Sequence, residues 1–210
     1  ISFPSGTGLE VYDASVPRIK LANSTTGNAS TDGFDMHVSG SDIKLWQREN
    51  ANMIFATNGA ERVRVQAAGG ISFNGDTAAA NALDDYEEGS FTPNVGGDAT
   101  YHNQNGSYTK VGRLVTVKMN FQINAINSSS QNQIQGLPFT STSVAAHVGT
   151  VGYYSGLSSS PTWIGCYADA NNTTVTFIWN TGNSSTSGNN GQNIFQNSAR
   201  IDISLTYQTT

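Results

Sequence analysis

Hydrolysis of a glycan would require two carboxyl groups about 5–10 Å apart, one acting as acid and the other as base or nucleophile. Beyond residue 90 the 210-residue chain has only three acids, Asp98, Asp169 and Asp202. Asp202 alternates outward on a regular strand pattern and the other two fall in separate loops, so only a pair shared between subunits would serve. The acids upstream are crowded instead. Asp84, Asp85, Glu87 and Glu88 have the charge density of a calcium site, but their spacing matches no calcium-binding loop. Their expected partners are Arg62 and Arg64. The three histidines, His37, His102 and His147, are far apart, and the one cysteine, Cys166, lies in no zinc-type spacing. Only a symmetry axis, bringing three copies of one histidine together, would make a metal site of them. No nucleophile elbow is present. The expectation is a protein that is not an enzyme and uses no cofactor or metal.

The residues best suited to chemistry of another kind are at 163–168, Trp-Ile-Gly-Cys-Tyr-Ala. In a strand, Ile164, Cys166 and Ala168 share one face and Trp163, Gly165 and Tyr167 the other. With the first face inward, two aromatic rings flank a glycine on the outside. A sugar needs such an apolar plate for its C–H faces, with donors and acceptors for its hydroxyls. Tyr154, Asp169 and Asn171 are the expected polar neighbours, so the candidate ligand set is Trp163, Tyr167, Tyr154, Asp169 and Asn171. The same rings would also suit a contact between subunits, where Trp and Tyr are enriched. The polar stretch 181–192 reads as a long tip loop able to carry recognition.

The elements that must hold these residues are strands. Between residues 114 and 124, Val115, Val117, Met119, Phe121 and Ile123 alternate with Thr116, Lys118, Asn120 and Gln122. Ile201, Ile203, Leu205 and Tyr207 repeat the pattern near the end, as do Val175, Phe177 and Trp179 at 173–179. Residues 1–75 differ. Short apolar runs at 9–12, 18–21, 34–38, 43–46, 53–56, 62–65 and 71–73 are punctuated by turn signals such as Asn58-Gly59 and Gly69-Gly70. Strands this short give one chain little core, so their burial is expected to come from other copies. The Ala-rich stretch 77–83 is the only helical candidate.

Composition sets the remaining bounds. Residues 1–90 hold 12 acids and 6 bases, whereas residues 91–210 hold 3 acids and 4 bases, and neither half has the basic field that nucleic acid demands. No apolar run is long enough to span a bilayer. From residue 91 onward, 66 of 120 residues are Ser, Thr, Asn, Gln or Gly, which places a loop-rich β domain after a boundary near Gly89. The first residue is Ile1 rather than Met, and the expectation is a piece of something longer.

Two stretches resemble segments that recur in bacteriophage tail fibre proteins. Residues 42–50 (DIKLWQREN) leading into 53–65 (MIFATNGAERVRV) are similar to a shaft unit in which a Trp…Arg-Glu-Asn strand pairs with a hairpin. Residues 83–93 (LDDYEEGSFTP) resemble the junction before a carboxy-terminal β domain, and 106–117 and 134–140 continue the likeness. The resemblance implies a virion protein, a trimer about a long axis and a β-sandwich tip that meets the host surface.

The combined expectation is an all-β chain: a fibrous shaft of short strands and hairpins (1–75), an Ala-rich and acidic junction (76–89), and a jelly-roll-like antiparallel β-sandwich tip (90–210). Its expected partners are itself as a homotrimer, a host surface glycan, and the rest of the virion tail through a segment preceding Ile1. The alternatives are a purely structural capsid or head fibre and a polysaccharide depolymerase.

Overall fold

The computed structural model describes residues 9–126, 133–144, 147–182 and 193–209; from residue 183 the expected tip loop lies outside them. The fold is all-β, and the Ala-rich stretch contributes one short 3-10 turn, Ala79–Asn81. Two compact units divide the chain at residues 84 and 85.

The first unit contains two three-stranded antiparallel sheets. One is built from β1 (Arg18–Leu21), β2 (Phe34–Ser39) and β3 (Asp42–Gln47), the other from β4 (Met53–Thr57), β5 (Ala60–Val65) and β6 (Ile71–Phe73). The apolar run at 9–12 corrects the expectation of seven strands. It pairs with no strand among the described residues, and Asp13 closes it by accepting the N–H groups of Ser15 and Val16, at 2.8 and 2.9 Å. Asn58 and Gly59 have φ of 51° and 68°, as a two-residue hairpin turn between β4 and β5 requires.

Register sorts the side chains of each small sheet into two unlike faces. In the first sheet Ile19, Met36 and Leu45 line up across the strands, flanked by Leu21, Phe34, Val38 and Ile43. This apolar face is open, with Ile43 77% exposed. The opposite face carries Asp35 and His37, both buried, beside the half-exposed Trp46. Asp35 is fully enclosed and accepts a 2.6 Å hydrogen bond from Arg48 Nε, with Arg18 3.7 Å away. Burial pushes the Asp35 carboxyl up, but the Arg48 hydrogen bond and the charges of Arg18 and Arg48 outweigh it and hold it below the usual carboxylate range. Arg48 and Glu49 also fasten the entry to β2: the Arg48 N–H donates to the Gly33 carbonyl, and the Gly33 N–H to Glu49 Oε1. Gly33 has φ of 76°, and a Cβ there would sit 2.4 Å from the Leu21 carbonyl oxygen. The second sheet repeats the plan, aligning Met53, Val65 and Ile71, and Phe55, Val63 and Phe73, on one largely open face.

The second unit is one continuous antiparallel sheet of eight strands: β7 (Tyr86–Phe91), β8 (Thr100–Val111), β9 (Leu114–Ala125), β10 (Gln133–Gln135), β11 (His147–Ser155), β12 (Trp163–Ala168), β13 (Thr174–Asn180) and β14 (Arg200–Gln208). Their order is β10-β13-β12-β11-β14-β9-β8-β7. The sheet curls until its ends meet. Just past β7, the Asn94 N–H donates to the Gln135 carbonyl on β10 (3.1 Å), and the Gln135 N–H donates back (2.6 Å). Inner faces therefore pack against each other as in a sandwich, with this one bridge joining the two ends of the sheet.

Alternation supplies the core: Val115, Val117, Met119, Phe121 and Ile123 from β9 meet Ile201, Ile203, Leu205 and Tyr207 from β14, with Cys166, Val175, Phe177 and Trp179 opposite. Burial pushes the Cys166 thiol up to about 12, against a weaker opposing effect from the Gly149 backbone. In the folded chain Cys166 should therefore stay unreactive toward a thiol-specific disulfide reagent at pH 8 and become reactive only on unfolding. Rapid labelling of native protein would contradict this packing.

The acidic cluster is partnered differently from the expectation. Lys110, itself mostly buried, donates to Asp85 and to Glu87 (3.1 Å) and lies 5.2 Å from the centre of the Phe139 ring. Arg64 instead forms a bidentate pair with Glu61, and Arg62 bonds the Thr57 hydroxyl. The reason is register: β7 pairs with β8 so that Glu87 stands opposite Lys110.

Candidate ligand-binding face

β12 turns Cys166 and Ala168 into the core, with Ile164 packed against it, so Trp163, Gly165 and Tyr167 face outward. Trp163 is 48% exposed and its indole leans over Gly165, where a Cβ would come within 2.9 Å of the ring. Tyr167 is half-buried, level with Val148 on β11 and Thr176 on β13. Two aromatic side chains therefore point outward from one strand, and the Trp163 indole occupies the space over the glycine between them.

The other three expected members do not join it. A bulge at Gly152 shifts the register of β11, so Tyr153 pairs with Asp202 on the outer face and Tyr154 with the buried Ile201 on the inner one. The Tyr154 hydroxyl donates to the Pro161 carbonyl at 3.0 Å. The Asp169 carboxylate is taken up in holding strand ends together, accepting from the hydroxyls of Thr174 and Thr176 and from the Gln133 amide. Asn171 occupies a left-handed turn position (φ 52°) beyond the far end of β12 from Trp163. Among the described residues, no cluster of three or more His, Cys, Asp or Glu side chains forms a metal site.

A second feature of the same outer face is absent from the sequence reading. A trough of about 400 Å³ crosses β8, β9, β14 and β11. Two cross-strand rows frame it: Asn105, Asn120, Asp202 and Tyr153, and next to it Ser107, Lys118, Ser204 and Thr150. Asn105 donates to Asn120 at 3.2 Å. Arg200 pairs with Asp202 through two hydrogen bonds (3.3 and 3.0 Å), and its guanidinium lies 4.9 Å from the Tyr153 ring centre. The signal available in sequence was the polar half of each alternating strand. Which polar residues become neighbours depends on strand order, and that is not visible there.

No family model matches the chain, and no curated protein matches it. Among solved structures it is similar to the Dettilon tailspike protein (gp208), at 17% identity and a TM-score of 0.49, over 59% of this chain. The match covers 24% of that chain, so this chain spans about a quarter of its length.

Proposed function

We propose that this chain is the distal part of a bacteriophage tail fibre, a homotrimer whose second unit recognises polysaccharide on the host surface. The observation that carries the reading is the contrast between the two units. The first leaves the apolar faces of two small sheets open, which a trimeric shaft would cover; the second completes its own core and is free to present an outer face. The resemblance of residues 42–65 and 83–93 to fibre shafts and junctions supports the same assignment. Trp163 and Tyr167 would supply the stacking plate, and three copies would multiply weak contacts.

The test is adsorption to intact host cells. Trp163→Ala should lose most binding while leaving oligomer size and melting unchanged, since the ring is half exposed and outside the core. Undiminished adsorption would remove the plate from the binding site.

Binding without hydrolysis is favoured because two of the three acids beyond residue 90, Asp169 and Asp202, are each engaged by neighbours of their own subunit. The competing depolymerase reading predicts release of reducing ends from host polysaccharide on incubation with the chain.

A further inference from the structure

We infer that the trough across β8, β9, β14 and β11 is a charged subsite for a carboxylate-bearing sugar, a uronic acid unit of an acidic polysaccharide. This assignment rests on the receptor-binding reading and narrows it to one chemical class. The trough holds two ionic side chains of its own, Lys118 and Asp202. Asp202 is neutralised by its bidentate pair with Arg200. Lys118 has no such partner: among the described residues no carboxylate pairs with it, and its cross-strand neighbours are the hydroxyls of Ser107 and Ser204. One unmatched ammonium between two hydroxyls complements a monoanion, with hydroxyl donors on either side of the charge.

The remaining lining suits the rest of a sugar ring. Asn105, Asn120 and Thr150 offer both donors and acceptors. The lining side chains beside Lys118 are short, and the Gly152 bulge opens one wall, so a ring can approach the sheet closely. The volume is at the lower end of small-ligand sites. The trough also has a neighbour suited to a chain rather than a single sugar. β11 forms its wall and pairs with β12, so the outward Trp163 and Tyr167 lie one strand away on the same face. Lys118 is on β9, three strands from β12 and so about 14 Å away at ordinary strand spacing, and a polysaccharide stacked on the plate can bring an acidic unit a few sugars along to it.

The experiment measures binding of the full-length oligomer, by calorimetry, to a panel of galacturonate and glucuronate oligosaccharides, to their methyl esters and to inorganic phosphate. Binding of at least one acid oligosaccharide is expected, weakened about tenfold or more by esterification and by Lys118→Gln, and retained by Lys118→Arg. Affinity should also fall as salt rises. Equal binding of the methyl esters, unchanged binding by Lys118→Gln, no binding of any uronate, or phosphate binding as tightly as the sugars would each overturn the assignment. So would a change of oligomer size in Lys118→Gln, which would make the trough a contact between copies. Adsorption to host cells, measured in parallel, separates the two ideas. Cells bound with the trough silent leave the receptor reading standing, whereas uronate bound with no adsorption leaves the subsite standing.

Discussion

The purified chain should sediment as a trimer at micromolar concentration, and Met36→Asp should reduce it to single chains. Met36 sits on the central strand of the first sheet, between Ile19 and Leu45, in the middle of the open apolar face. Full burial of a large aliphatic side chain contributes about 1.5–3 kcal/mol. The seven apolar residues of that face, together with those of the β4–β6 sheet, leave a large unrealised contribution in an isolated chain. A carboxylate at position 36 would have to lose its water without a partner if the face were covered, in every copy at once. In a lone chain it would remain solvated, because Met36 is already exposed. The variant therefore separates assembly from folding. Lys44→Ala, on the opposite face of the same sheet, is the matched control and should leave the assembly intact. Light scattering reads both; a wild-type monomer, or an intact Met36→Asp trimer, would remove the assembly argument.

Phe195→Ala should be the most damaging single truncation in the second unit. The Phe195 ring meets Phe121 on β9 (5.5 Å between centres, 63°) and Phe177 on β13 (5.4 Å, 89°), and Phe121 in turn meets Tyr101 on β8 (5.8 Å, 85°). These edge-to-face contacts link strands far apart in the sheet order through a residue that belongs to no strand. Removing a buried Phe typically costs about 3–5 kcal/mol, a large share of the roughly 5–15 kcal/mol that holds a domain together. The unfolding midpoint of the second unit should drop by on the order of 10 °C or more. Calorimetry comparing Phe195→Ala with the outward Trp163→Ala distinguishes a core ring from a surface ring, and a shift no larger than that of Trp163→Ala would contradict the packing.

Strands whose two faces differ strongly were readable from sequence. β9 and β14 alternate without a break, and their apolar residues are the buried ones. β8 shows no such pattern, though it is as long as β9, because its inward positions mix Tyr101 and Tyr108 with Gln104, Gly106 and Lys110. Gln104 donates to the Pro93 carbonyl, the Tyr101 hydroxyl accepts the Val95 N–H, and Gly106 leaves room for the Phe91 backbone, which a Cβ would approach to 2.7 Å. Specific hydrogen bonds there stand in for part of the apolar burial, and no periodicity announces them. β7 was hidden for a related reason: its acids read as a linker until Lys110 stands opposite them.

The candidate face was legible to the same extent. The outward orientation of Trp163 and Tyr167 follows from alternation on one strand and needed no partner strand. Tyr154 required knowledge of the Gly152 bulge, which reverses the face of every residue after it. Asp169 required its three donors, two of them on β13 and one on β10. The trough required the order of four strands, including the insertion of the last strand of the chain between β11 and β9.

The meeting of Asn94 with Gln135 bears on how copies of the second unit behave when crowded. A long open sheet ends in rows of unpaired amides and carbonyls that can template a neighbour's strand and seed aggregation. Here β10 is only three residues long, and the chain leaving β7 returns hydrogen bonds to it. At that point the two margins bond each other, so copies held side by side find no free strand edge to extend where Asn94 meets Gln135.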